Sequence, residues 1–135
     1  YVRDRRSIYS KIKKYIYNPG KLPYNKFLSE IRNSKYSLDL NGVGDPNKRT
    51  FEILSQGSLM ISEYNDLKWP FEDNDEFNHE LNFKDEKEFY KIMDKLNKNP
   101  DFYNKCLENQ NKIFNKYFNE EWIKDYILRY IYNNE

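Results

Sequence analysis

Three glycines, two adjacent cations and three carboxylates crowd into one segment, SKYSLDLNGVGDPNKRTFEILSQGSLMIS, residues Ser34 to Ser62. Gly42 and Gly44 stand in the loop Asn41-Gly42-Val43-Gly44-Asp45-Pro46-Asn47, where backbone without side chains can approach a ligand closely. Lys48 and Arg49 then open a helical pattern. The free amides and positive dipole end of a helix N-terminus favour an anion such as a diphosphate, and neighbouring cations strengthen that bias. Arginine adds a bidentate grip on phosphate. Glu52 falls three residues after Arg49 on the same helical face, where a carboxylate can accept hydrogen bonds from ribose hydroxyls. The Gly57-Ser58 turn offers further amides and a hydroxyl. The same residues also admit a plain structural reading. Glycines are common turn residues, and Arg49 with Glu52 makes a surface pair worth roughly 0.2–0.5 kcal/mol. G-V-G-D-P is not the G-x-G-x-x-G fingerprint and no Walker Lys-Ser/Thr follows, so neither a dinucleotide enzyme nor a P-loop is supported.

The elements that must position these groups are legible from periodicity. Lys35 to Leu40 alternates with period two, as a strand does, and Lys48 to Gln56 reads as a helix with Phe51, Ile53 and Leu54 apolar. Gly57 is a C-terminal stop, and Ser58 to Ser62 reads as a short buried strand. Strand, glycine loop, helix, glycine and strand make a βαβ unit whose strands are expected to be parallel. In open α/β sheets ligands bind beyond the carboxyl ends of strands, which is where Asn41 to Asn47 would lie. Upstream, Ser7 to Tyr17 carries Ile8, Ile12, Tyr15 and Ile16 at helical spacing, and Pro23 opens a second helix to about Asn33. Downstream, Glu63 to Glu80 is acidic and irregular around Trp69-Pro70-Phe71, and Leu81 to Phe83 is a third short strand. Helices follow from an Asp85 cap to about Asn97, from Pro100 to about Phe118, and from Glu120 to Tyr132. The fold class is therefore α/β: one domain over 1–135, a short parallel sheet flanked by helices, and a helix-rich C-terminal portion.

Composition bounds the partners. The chain has 135 residues, 38 % hydrophobic and 18 % aromatic, so rings must build much of its core. Its 23 basic and 22 acidic residues nearly cancel, which argues against a nucleic-acid partner, although Arg3 to Lys48 is locally basic. The single cysteine, Cys106, forms no internal disulfide, and no membrane span or signal peptide is visible; a reducing, cytoplasmic setting is expected. The chain opens on Tyr1 rather than Met and is read as a fragment.

The run K-Y-S-L-D-L-N-G-x-x-x-x-x-K-R-x-x-E-I-L-x-x-G-S-L-M-I, Lys35 to Ile61, resembles the C-terminal region of CAP10-like glycosyltransferases, the group containing protein O-glucosyltransferases. It is similar also to exostosin-like and CgeB-like enzymes of the two-domain GT-B fold. Trp69 near an acidic loop, Phe83 ahead of Asp85-Glu86 and a tyrosine-rich terminal helix extend the likeness to about Tyr130, and Arg3 to Ile8 resembles the family's upstream helix start more weakly. The resemblance implies the Rossmann-like donor half of a GT-B enzyme, moving a sugar from a nucleoside diphosphate sugar, with a UDP-sugar favoured, to a hydroxyl of a glycan or protein. It places Arg49 on the diphosphate, Gly42 and Val43 on the base or ribose side, and Ser58 on the phosphates, with Arg3 or Arg6 as a further phosphate contact. Positive groups so placed would stabilise the departing diphosphate. The general base of such enzymes usually lies in an N-terminal domain, which is expected to be missing here. Asp39, in a strand pattern, and Asp45, in the loop, are not assigned that role, and no catalytic residue is named.

Other candidates read as structure. His79 sits among Glu76 and Glu80 in the acidic stretch, and Asp73-Asn74-Asp75-Glu76 lacks the glycine and distal glutamate of a calcium loop. No Asp-x-Asp pair occurs in an apolar context, so no obligatory metal is expected. Cys106 reads as a core or boundary residue. Trp122, Tyr126 and Tyr130, at i, i+4, i+8, read as core or inter-domain packing. The main rival function is a non-catalytic helical interaction module using the aromatic second half; RNA binding through the basic first third is weaker.

Overall fold

A computed structural model describes residues 8–41, 48–66 and 79–133, together with Trp69. Residues 8–12 are helical and tighten into a 3-10 turn at Lys13–Tyr15. Pro23 then caps α1 (Tyr24–Asn33), its carbonyl accepting from the Phe27 amide at 2.9 Å. Proline suits this position because its missing N–H would have had no partner in a first turn. β1 (Tyr36–Asp39), α2 (Lys48–Gln56) and β2 (Leu59–Glu63) follow, and Gly57 ends α2 with φ at 79°, a backbone state that costs glycine little. β3 (Asn82–Phe83) precedes α3 (Glu86–Lys98), α4 (Pro100–Tyr117) and α5 (Glu120–Asn133).

The late helices start where local side chains close their free amides. The Asp85 carboxylate accepts from the Glu88 amide at 2.8 Å, while Glu88 reaches back to the Lys84 amide at 2.7 Å. Asn99 caps α4 through the Phe102 amide, with Pro100 in its first turn, and Asn119 does the same for α5 through the Trp122 amide.

The strands lie side by side in chain order, β1-β2-β3, and all are parallel. Tyr36 pairs with Leu59 and Asp39 with Ser62; Ser62 then pairs with Asn82. Helices cover both faces. On one, Leu59, Ile61 and Phe83 pack with Ile8 and Ile12 and with Phe89, Ile92 and Leu96 of α3. On the other, Met60 packs with Ile31 of α1, Ile53 and Leu54 of α2, and Ile113 and Tyr117 of α4. Such two-sided burial is what a parallel sheet requires. The chain is thus α/β, a parallel sheet between helical layers of Rossmann-like form, as the strand and helix periods predict.

α4 serves both layers. Phe102, Tyr103, Cys106 and Leu107 lie against the first, Ile113 and Tyr117 in the second. Between them Gln110, 4 % exposed, turns its amide onto the edge of β2: Oε1 accepts from the Met60 amide at 2.9 Å and Nε2 donates to the Ser58 carbonyl at 2.7 Å. β3 is too short to pair with that part of β2, and the glutamine stands in for the missing strand.

α5 departs from expectation in part. Trp122 meets Tyr117 edge-on and stacks on Tyr126, but Ile123 and Ile127 are 44 % and 50 % exposed. Trp122 thus packs against the second core layer as expected, while Ile123, Tyr126 and Ile127 stand exposed; the side chain of Tyr130 lies outside the described residues. Among the described residues, no helix is long and apolar enough to cross a membrane.

Candidate functional site

The carboxyl ends of β1 and β2 and the N-terminus of α2 come together at one end of the sheet. A buried pair makes the joint: the Thr50 hydroxyl donates to Asp39 Oδ2 at 2.6 Å, pinning the first turn of α2 to the end of β1. Asp39 is thereby a structural carboxylate at the strand end. Asn41, next along, is tied to the neighbouring strand. Its amide donates to Glu63 Oε2 at 3.0 Å, its side chain donates to the Tyr64 carbonyl at 2.8 Å, and its Oδ1 accepts from Asn65 at 3.2 Å.

Lys48 and Arg49 stand exposed on that first turn. Each lies over a ring from α1: Lys48 Nζ is 4.6 Å from the Tyr24 centroid, and the Arg49 guanidinium carbon is 4.8 Å from that of Phe27. A cation resting on a ring face is oriented while its outer side stays open to solvent. Glu52 lies beneath, its side chain 11 % exposed, with Oε1 3.7 Å from Lys48 Nζ. That separation is long for an ion pair and weak at a surface. Two cations and one largely buried carboxylate thus share one helix end, an arrangement suited to an anion carrying hydroxyl groups.

Gly57 and Ser58 are elsewhere. A helix leaving the carboxyl end of one strand returns the chain to the amino end of the next, so Ser58 lies at the opposite end of the pair from Arg49. There the Leu59 amide bonds the Lys35 carbonyl. The Ser58 hydroxyl, in a residue 2 % exposed, sits 2.7 Å from Ser37 Oγ and donates to the Ser34 carbonyl at 2.9 Å. Gly42, Val43, Gly44, Arg3 and Arg6 lie outside the described residues, as do Asp45 and the Asp73–Glu76 stretch.

Sequence reasoning missed Tyr24 and Phe27, which lie at i, i+3 on α1 and read as ordinary apolar positions. It also missed Glu63 and Tyr64, whose proximity to Asn41 depends on strand pairing. Cys106 fits its boundary reading: burial, chiefly, pushes its thiol up, Glu80 adds to this, and Lys95 and Lys105 oppose it. A thiol held protonated is a poor nucleophile.

Fold and site together define an α/β domain with a cation-bearing helix N-terminus at the carboxyl end of a parallel sheet. A family model described as glycosyl transferase-like matches residues 5–128, and the chain belongs to that family. Searches of curated proteins and of solved structures find no match. Family membership assigns the chain to glycosyl transfer in general terms.

Proposed function

We propose that this chain is the donor-binding half of a GT-B glycosyltransferase, taking a sugar from a nucleoside diphosphate sugar, a UDP-sugar by preference, to a hydroxyl of a glycan or protein. The observation that carries the reading is the placement of Lys48 and Arg49, exposed and ring-supported, on the first turn of α2 beside the end of β1. The diphosphate lies against these cations and the α2 amides, with Glu52 accepting from the ribose; the resemblance assigns Gly42 and Val43 to the base or ribose side. Arg49 contributes charge that opposes the negative charge building on the departing diphosphate. The likeness to CAP10-like, exostosin-like and CgeB-like enzymes supports the same assignment, with an N-terminal domain supplying the acceptor site and base. The reading includes no obligatory metal, no nucleic-acid partner and a cytoplasmic setting.

The test is calorimetric titration with UDP, GDP and their sugars, with Arg49→Ala alongside. Binding to one nucleotide that Arg49→Ala weakens by about 1–3 kcal/mol, the scale of a lost hydrogen bond to a charged group, supports the reading. A folded chain that ignores all four at millimolar concentration sinks it as a self-sufficient donor site. The rival interaction module would then lead, favoured by the exposed Ile123 and Ile127 of α5.

A further inference from the structure

Tyr24 opens α1, yet neither the cap nor the core uses its side chain. Pro23 caps the helix without a side-chain bond, and the Tyr24 ring is 53 % exposed. It belongs to neither core layer, whereas Phe27, at the next turn, packs against the second. Its neighbours are therefore what distinguishes it.

Those neighbours are set by the way α1 and α2 lie side by side, with both N-termini at the carboxyl end of the sheet. At their far ends the Arg32 guanidinium donates through Nε and Nη2 to Gln56 Oε1, at 3.0 and 2.9 Å. At their near ends Tyr24 meets Lys48 and Phe27 meets Arg49. The Thr50–Asp39 bond holds α2 to β1 as well. Tyr24 thus has a fixed place beside the two cations.

Other exposed rings near the head of α2 are engaged elsewhere. Phe51 packs edge-on to Trp69 and against Phe118. Tyr64 lies under Lys84 Nζ at 4.5 Å, and its hydroxyl donates at 2.9 Å to Asp66, a carboxylate that repels phosphate. Tyr24 has Lys48 Nζ 4.6 Å from its centroid, and Lys48 Nζ in turn lies 3.7 Å from Glu52. Ring, cation and carboxylate follow one another at one helix end.

We propose that Tyr24 is the platform on which the nucleobase of the donor stacks. This role rests on the donor reading of Lys48, Arg49 and Glu52. With the diphosphate on the cations and the ribose on Glu52, the flat base is the part of the nucleotide still to be placed, and Tyr24 is the ring beside it. Stacking needs a π-face alone, so the tyrosine hydroxyl takes no part. The Lys48 side chain is 77 % exposed, which lets its ammonium turn from the ring to the diphosphate while the base takes the face it leaves. Because every base has a π-face, the stack favours a nucleoside diphosphate over bare diphosphate and does not by itself choose UDP over GDP.

The test is calorimetric titration of the chain, Tyr24→Leu, Tyr24→Phe and Arg49→Ala with UDP, GDP and inorganic pyrophosphate. Tyr24→Leu should raise the Kd of the nucleotide that binds by about tenfold and leave that of pyrophosphate within about twofold. Tyr24→Phe should leave both where they were, and Arg49→Ala should weaken both. In the unaltered chain the base protons should show nuclear Overhauser contacts with the Tyr24 ring, and these decide should Tyr24→Leu fail to fold. Equal weakening of nucleotide and pyrophosphate by Tyr24→Leu would overturn the proposal, since the ring would then act by holding Lys48. So would an unchanged nucleotide Kd in that variant, or base contacts with Tyr64 in place of Tyr24. Each of these failures leaves a nucleotide bound and dependent on Arg49. Failure of the donor reading is different: the folded chain binds no nucleotide, and the role of Tyr24 falls with it.

Discussion

The β1–β2 pair has a polar cluster at each end, and the two clusters do opposite things. At the amino end, Ser34, Ser37, Ser58 and Gln110 point their polar atoms at one another and at strand backbone, in a setting where Ser58 and Gln110 are almost fully buried. At the carboxyl end, Lys48 and Arg49 are held on rings with their outer faces in water. The first cluster is closed and its hydrogen bonds are part of the fold. The second is open and has charge to offer a ligand. Polar residues near a glycine say little by themselves; where their partners lie decides which kind they are.

Four substitutions probe that contrast. The largest effect should come from the closed end. Gln110→Ala leaves the Met60 amide and the Ser58 carbonyl unpaired in the interior at roughly 1–3 kcal/mol each, so urea unfolding should report a loss of about 2–6 kcal/mol. A loss under half a kcal/mol would mean that water or a neighbour replaces the amide, and the closed end would not be closed. Next comes Arg49→Ala at the open end, which should weaken nucleotide binding by about 1–3 kcal/mol while leaving the urea midpoint unchanged.

Ser58→Ala should behave in reverse. It removes a buried hydroxyl from two partners, lowering stability by about 1–2 kcal/mol, and should leave nucleotide affinity as it was. Loss of affinity in a variant of normal stability would bring Ser58 back into the binding site and break the comparison. The smallest effect belongs to Phe27→Leu, which keeps an apolar side chain on α1 but removes the ring beneath Arg49. Nucleotide affinity should fall by about 0.5–1 kcal/mol, the scale of an exposed cation–π contact. An effect as large as that of Arg49→Ala would mean that the ring holds α2 in place rather than orienting one guanidinium.

The elements themselves were readable because their signals are local. Gly57 after an apolar helix, Asp85 three residues before Glu88, and Asn99-Pro100 are start and stop signals that act within one turn. The parallel pairing of β1 and β2 followed from the helix between them. Gln110 was not readable, since it meets Met60 across fifty positions of chain and a glutamine in a helix carries no mark of such a partner. The ring supports were hidden for the same reason: Tyr24 and Phe27 occupy apolar helical positions like any others. Ser58 was placed with the anion site by its neighbour Gly57, whereas the return of the chain along α2 sends both to the far end.

By itself, the sequence determined the α/β order of elements, their caps and the pair of cations at the head of α2, because each depends on residues a few positions apart. Tertiary structure decided which polar groups are spent on the fold and which stay available, and it alone revealed that Gln110 fills β2's edge where β3 falls short. Those outcomes depend on which distant backbone groups meet, and hydrogen bonding between distant backbone groups leaves no periodic trace in side-chain order.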